Sequence, residues 1–494
     1  MPRDRRARWM VLALVLFGAA LRFASLGAIP PGLHPDEAAT AYEARCLWRS
    51  GRSSDGRVWP FTVRMHGRYE VEATYAWLAA PCAGLPLPLE VWVRLPAAVG
   101  GILLLPLGYL LARRLFGAWC ARWALVFLAC EPLAWHYARL GLRATLVPPL
   151  LVGGLLLLCG PGRGEGRRGL GAGLASGACL ALAAASYTPA RLVVPCLALA
   201  LLLPGLRGPA PLGPRALAAA LPCLVLGLSL PWTLDGGGGA RLDAIALWRQ
   251  DLGPAALVAG FLRGYALHFA PRTLFWGSSS KGFWAEDVAP LLAVEVLLLP
   301  LGLACAVRRA RRGHLSSRLL LVWLLVAPLA SALTVPAPNP LRAIAGLPLW
   351  ALLSAHGVRA LRAALRPRIR ARQANFLAGG AVACCLPFAL WSYGVRFPAE
   401  RRRDWFRPQN TAFAALLGEA KAAGARLRLD VGWLEASLVL ARAARPATVT
   451  ELEDQRRRVH VGGPRGPLWR ARSDPQGLTL WRGRGPERRD YAPR

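Results

Sequence analysis

A chain of 494 residues that is 55% hydrophobic, with a mean hydropathy of +0.35, carries apolar runs of about twenty residues along most of its length, which a water-soluble core does not need. A formal charge of +34 would suit a nucleic-acid binder, but its placement excludes one: Lys281 and Lys421 are the only lysines, and the arginines gather in short clusters between apolar runs, with no single basic face and no aromatic interleaving. Most of the 11 cysteines, among them Cys159, Cys179, Cys223, Cys384 and Cys385, lie inside apolar runs as small hydrophobes, and none has the spacing of a zinc site.

The first apolar run, Trp9 to about Ile29, follows Arg3, Arg5, Arg6 and Arg8. Arg22 interrupts it, and Pro30-Pro31 follows without a small-residue cleavage site, so it reads as a retained first span and not as a cleaved signal peptide. Further spans are expected near 94–112, 118–137, 141–159, 169–187, 190–206, 216–233, 288–307, 319–335, 341–358 and 375–394, which makes about eleven in all. Arginine in short loops is retained on the cytoplasmic side. When the spans alternate, Arg113-Arg114, Arg163 with Arg167-Arg168, Arg207 with Arg215, Arg308 through Arg312 and the run Arg359 to Arg372 all fall on the side of the N-terminus. The expected topology is a cytoplasmic N-terminus and an extracytoplasmic C-terminus.

The expected fold class is therefore an all-α polytopic membrane protein with a small α/β tail. Residues 1–394 form the transmembrane domain, with outer loops at about 30–93 and 234–287, and residues 395–494 form the tail domain. In the first loop, the moderately apolar Ala73–Leu85 is short and broken by Pro81, Pro86 and Pro88, which reads as an interfacial helix and not a span. Cys46 and Cys82 are the cysteines expected outside, where a disulfide between them is open. The second loop opens with Gly236–Gly239 and later carries Phe275, Trp276, Phe283 and Trp284, residues suited to a membrane–water interface. The tail alternates a helical pattern over Thr411–Ala423, a strand-like Arg426–Val431 and a second helical pattern over Trp433–Ala444. No internal repeat is visible.

Acidic residues are scarce, so their positions inform. Asp36 and Glu37, in His34-Pro35-Asp36-Glu37, follow the first span at the expected outer surface. Spacing alone leaves two readings open, a pair of solvated loop carboxylates or a catalytic pair. His136, Arg139, Arg143, Tyr187, Lys281 and Arg342 fall on the same face of the bilayer. Cations there can hold a lipid phosphate, arginine through its fork and lysine as a point charge, or they can simply snorkel from span ends. Arg22, Glu131 and Glu295 lie deeper and read as structural charges paired with one another or with carbonyls.

Read in order, these segments carry a likeness. Gly32-Leu33-His34-Pro35-Asp36-Glu37-Ala38, Tyr42-Glu43-Ala44, Ser50-Gly51-Arg52 with Asp55-Gly56-Arg57, and Trp59-Pro60 together resemble the first outer loop of bacterial membrane glycosyltransferases of the protein mannosyltransferase-like group, which has the GT-C fold and includes the aminoarabinose transferases. The likeness continues through Val93-Arg94-Leu95-Pro96, Trp135-His136-Tyr137-Ala138-Arg139, Ser186-Tyr187-Thr188-Pro189-Ala190-Arg191, His268-Phe269-Ala270-Pro271 and Pro338-Asn339-Pro340-Leu341-Arg342-Ala343, so it spans residues 10–420. It implies a GT-C-like fold in the bacterial cytoplasmic membrane, a polyprenyl-phosphate sugar donor, a lipid, glycan or protein acceptor, and transfer on the outer face with inversion. It further implies Asp36 as catalytic base with Glu37 orienting the site, and Arg139, Arg342, Lys281, His136, Arg143, Asp55 and Tyr187 as donor-binding candidates. The resemblance names no cofactor and leaves a divalent metal open. The chain departs from the group's pattern at Gly277-Ser278-Ser279-Ser280-Lys281 and at Asn339, which leaves the donor sugar open. A transporter or flippase for a lipid-linked glycan, or a glycan polymerase or ligase, would be the alternative.

The topology is tested by fusion. Alkaline phosphatase joined after Ser54, Gly238 or Pro408 is expected to be active, and joined after Arg168 or Arg368 inactive. An inactive fusion at Pro408 would place the tail in the cytoplasm.

Overall fold

The computed structural model describes residues 2–65, 69–159, 167–206, 212–234, 239–276, 288–400, 407–432, 439–440, 442, 447–451, 456–461, 467–473, 477–481 and 486–490. They divide into two compact units, Met1–Ala24 with Ala97–Phe397 and Ser25–Pro96 with Pro398–Arg494.

The first unit is helical and apolar. Among the described residues, 6 helices are long and apolar enough to cross a membrane: Leu89–Phe116, Arg168–Ser186, Leu212–Thr233, Leu315–Ala332, Ile344–Leu365 and Ala371–Ala399. The protein is polytopic. Other expected spans are interrupted where the chemistry requires it. The 118–137 stretch breaks into Ala118–Cys130 and Pro132–Tyr137, because Pro132 forces Glu131 into extended backbone, φ −66° and ψ 125°. The helix expected from 288 begins only at Glu295, whose carboxylate accepts the Leu292 N–H at 2.8 Å. The second expected loop contains a 14-residue apolar helix, Pro254–Leu267, which exposes Val258 and Leu262. At 1.5 Å per residue it spans about 21 Å, short of a bilayer core.

Water-poor surroundings leave helices little hydrophobic reason to associate, so small residues that admit close backbones decide where they cross. Glu295–Arg311 and Leu347–Leu365 meet this way: a side chain added at Gly302 would run into the Leu353 carbonyl, and one added at Gly357 into the Leu298 carbonyl. The crossing carries a polar tie as well, the Ser354 hydroxyl donating to Glu295 at 2.6 Å. Arg22, fully buried, donates from Nη1 to the Gly18 carbonyl at 2.9 Å and from Nη2 to the Leu128 carbonyl at 3.0 Å, while its Nε makes no hydrogen bond among the described residues.

The second unit contains the first-loop helix Pro35–Ser50, an antiparallel hairpin of β1 (Thr62–Met65) and β2 (Tyr69–Glu72), and the short helix Thr74–Ala79, whose Tyr75 hydroxyl donates to the Val93 carbonyl at 2.8 Å. Its tail pairs the helix Arg407–Ala422 with β3 (Arg426–Gly432), β4 (Ala447–Glu451), β5 (Arg456–Val461), β6 (Leu468–Ser473), β7 (Gly477–Trp481) and β8 (Pro486–Asp490) in one sheet of order β4-β5-β3-β6-β7-β8. β3 pairs parallel to β6 and antiparallel to β5. The strand and helix expected over Arg426–Val431 and Thr411–Ala423 are present. Most of Trp433–Ala444, read as helical, lies outside the described residues, as do Gly236–Gly238, Phe283 and Trp284.

The glycine crossing is tested by crowding it. Gly302→Val and Gly357→Val are each expected to destabilise the membrane unit by about 1–3 kcal/mol or more. Gly380, with open space where a side chain would go, tolerates Ala and serves as the control. Equal melting temperatures for Gly302→Val, Gly380→Ala and wild type would remove the crossing from the account.

Candidate active site

The helix that carries Asp36 starts by a set of local devices. Pro35 takes the first helical position, where its missing N–H costs nothing. His34 caps the helix: its Nδ1 accepts the Asp36 N–H at 3.2 Å, while the Glu37 carboxylate accepts the His34 N–H at 3.0 Å. This is a capping box with histidine in the usual Ser/Thr place, and it fixes the imidazole tautomer with its proton on Nε2. Asp36 and Glu37 thus fall in the first turn, where the helix dipole favours acidic side chains. They are not solvated loop carboxylates. Asp36 is 8% exposed and Glu37 is fully buried.

Glu37 is held by an arginine to which the sequence reading gave no role. Arg94 Nε donates to Glu37 Oε1 at 2.9 Å and Nη2 to Oε2 at 3.0 Å, a bidentate pair. Nη1 donates to the carbonyls of Leu26 (2.9 Å) and Pro30 (3.1 Å), and Nη2 also to that of Gly32 (2.6 Å). All of the guanidinium's N–H donors are thereby used. Arg94 clamps the Leu26–Gly32 segment onto the start of the Asp36 helix.

The far end of the loop is tied to the same helix. Glu43, also buried, accepts the Ser54 N–H at 3.0 Å and a bond from the Ser54 hydroxyl. Burial pushes its carboxyl above the usual range, and the Ser54 bonds pull partly back. Asp55 accepts from the Ser53 hydroxyl and pairs with Arg57 at 2.7 Å. Burial raises Asp55, but the bonds from Arg57 and Ser53 outweigh it and hold the carboxyl below its usual range. Cys46 and Cys82 are both free thiols, so the disulfide left open between them does not form here.

The other candidates belong to the membrane unit. His136 is fully buried, its Nδ1 3.0 Å from the Tyr393 hydroxyl, and Arg139 stands over the Tyr393 ring at 6.0 Å while its Nη1 donates to the Leu21 carbonyl at 2.7 Å. Arg143 lies over the Tyr187 ring at 5.7 Å. The sequence therefore supplied two arginine–tyrosine groupings, one of them completed by Tyr393, which no motif announced. Arg342 caps a loop, its Nη1 donating to the Thr334 hydroxyl at 2.8 Å and the Val335 carbonyl at 3.1 Å. Pro340 and Ala343, on either side of it, line a narrow apolar cavity of about 50 Å³ with Tyr137 and His268. Lys281 lies outside the described residues. Among the described residues no three His, Cys, Asp or Glu side chains gather as metal ligands.

No family model and no curated protein matches the chain. Solved structures do. The Archaeoglobus fulgidus oligosaccharyltransferase AglB, in complex with an inhibitory peptide and a dolichol-phosphate, is similar over 84% of this chain and 58% of its own, at 15% identity and a TM-score of 0.50. The same enzyme with zinc and sulfate is similar over 83% and 55%, at 14% identity and a TM-score of 0.51. The chain has a GT-C fold. ArnT from Cupriavidus metallidurans bound to undecaprenyl phosphate is similar over 87% of this chain and 74% of its own, at 17% identity and a TM-score of 0.48. The chain thus spans less than two thirds of the oligosaccharyltransferase's length, and at these identities the likeness is one of fold.

The clamp is tested by removing one partner. Arg94→Met leaves a buried carboxylate without its cation, which is expected to destabilise the protein by about 3–5 kcal/mol, whereas the double variant Arg94→Met/Glu37→Met should recover part of that loss. A single variant that melts like wild type would show that the clamp does not hold the loop.

Proposed function

We propose that the chain is a membrane glycosyltransferase that moves a sugar from a polyprenyl-phosphate donor to a hydroxyl of a lipid, glycan or protein acceptor, on the outer face of the bacterial cytoplasmic membrane. The observation that carries this reading is Asp36: a largely buried carboxylate in a helix first turn, fixed by the Glu37–Arg94 clamp, in a chain of GT-C fold. A soluble loop has no reason to build that. The dolichol-phosphate in the AglB complex supports a lipid-phosphate donor.

In this reading the acceptor oxygen attacks the anomeric carbon from the side opposite the phosphate. The C–O bond to phosphate breaks with its electron pair, and polyprenyl phosphate departs as the anomeric configuration inverts. Asp36 takes the acceptor's proton as general base. Glu37, with both oxygens engaged by Arg94 and the His34 N–H, does no proton transfer and positions Asp36. Arg139 and Arg342 are the proposed phosphate cations, since a guanidinium has enough donors to hold its own loop and a phosphate together. His136, Arg143, Tyr187, Lys281 and Asp55 remain donor-side candidates.

Asp36→Asn keeps the shape of the side chain and cannot take a proton, so transfer is expected to fall by at least about 10²-fold with the protein folded in the membrane. Release of sugar from a radiolabelled polyprenyl-phosphate donor, in membranes matched for expression, measures it. Wild-type turnover by Asp36→Asn would take Asp36 out of the mechanism.

A further inference from the structure

The helix Ala371–Trp391 does not stop at its last regular turn: it runs on through a π-helical turn, Ser392–Arg396, into Phe397. Such turns are rare, are mostly inserted singly into α-helices and occur often at functional sites, since the extra residue re-aims the side chains around it. Tyr393, 7% exposed, is the aromatic residue of this turn. The segment it meets is irregular too. Trp135 and His136 lie on the short helix Pro132–Tyr137, which follows the break at Glu131.

Several contacts converge on the Tyr393 ring. It stacks on Trp135 at 5.8 Å and on Phe397 at 5.4 Å, and its hydroxyl shares a hydrogen bond with His136 Nδ1 at 3.0 Å. Arg139 stands over the same ring, its guanidinium carbon 6.0 Å from the centroid. Arg139 is itself 3% exposed, and its Nη1 is tied to the Leu21 carbonyl at 2.7 Å. A carbonyl and an aromatic ring together therefore hold the guanidinium. A long cation left free to swing has to be ordered by its ligand, at a cost of about two- to tenfold in affinity, whereas one ordered beforehand does not.

We propose that Tyr393 is a positioning residue: it holds Arg139 in the arrangement that receives a phosphate group, and it acts on the donor only through that arginine. The inference rests on the reading of Arg139 as a phosphate cation and adds to it a residue from the far end of the membrane unit. The π-helical turn is then the device that brings the ring to the arginine.

A double-mutant cycle on binding, not on transfer, tests this. Full-length protein in detergent is titrated with undecaprenyl phosphate, followed by tryptophan fluorescence, and the melting temperature of each variant is recorded. Arg139→Gln is expected to weaken binding by at least about tenfold, through loss of a charge-assisted contact. Tyr393→Leu is expected to weaken it by about two- to tenfold, and to add nothing in the Arg139→Gln background, because the side chain it positions is already gone. Tyr393→Phe keeps the ring and should bind within about twofold of wild type. A ring-fluorinated phenylalanine at position 393 keeps the packing but weakens the attraction for a cation, so it should bind less tightly than Tyr393→Phe, and it reads the contact even if Tyr393→Leu does not fold. Wild-type binding by Tyr393→Leu, losses that add in the cycle, or a fluorinated ring that binds like Tyr393→Phe overturn the positioning role and leave Arg139 in its own. Binding that Arg139→Gln does not weaken removes the phosphate reading of Arg139, and this inference with it.

Discussion

The ion pair between Arg94 and Glu37 is the constraint on which the loop after the first apolar run rests. Burying both charges is costly, and the arrangement survives because every donor of the guanidinium meets an acceptor, two on Glu37 and three on backbone carbonyls. Those carbonyls belong to Leu26, Pro30 and Gly32, in a segment with no regular structure of its own to satisfy them. One side chain therefore closes the turn, orients the helix start and immobilises the carboxylate next to Asp36.

A difference in surroundings between adjacent acids follows from this. Glu37 spends both oxygens on structure, while Asp36, one residue earlier and pointing about 100° around the helix, is positioned by that structure. Two neighbouring carboxylates in different surroundings is the pattern by which one fold assigns different roles to like groups. His34 supports both, as cap acceptor for one and as donor to the other through its backbone.

The membrane unit is organised by a different rule. With backbone polar groups satisfied inside helices, packing is decided by where small residues permit contact and where buried polar groups find partners. Gly302 and Gly357 set one such contact, with Ser354 and Glu295 beside it. Glu131, at the break before Pro132, lies within electrostatic reach of Arg22 and Glu295, so the deep charges form a neighbourhood rather than isolated defects.

How much of this the sequence held can be judged residue by residue. Hydropathy fixed the polytopic class, because runs such as 94–112 and 216–233 are long and apolar whatever they pack against. Ordered motifs pointed to the GT-C fold and to Asp36. Pro35 and Glu37 marked a helix start in plain view, though with histidine as the cap the box was not read. The span edges were less legible, since Pro132 and Glu295 end or delay helices inside apolar runs. Strands β4 to β8 were missed because arginines, as in Arg456–Val461 and Pro486–Asp490, obscure their alternation. The partners of Arg94 and Tyr393 were decided by tertiary structure alone, because they lie far away in the chain: 57 residues separate Arg94 from Glu37, and 257 separate His136 from Tyr393. Local chemistry sets what a residue offers; only the folded chain determines which distant group takes it.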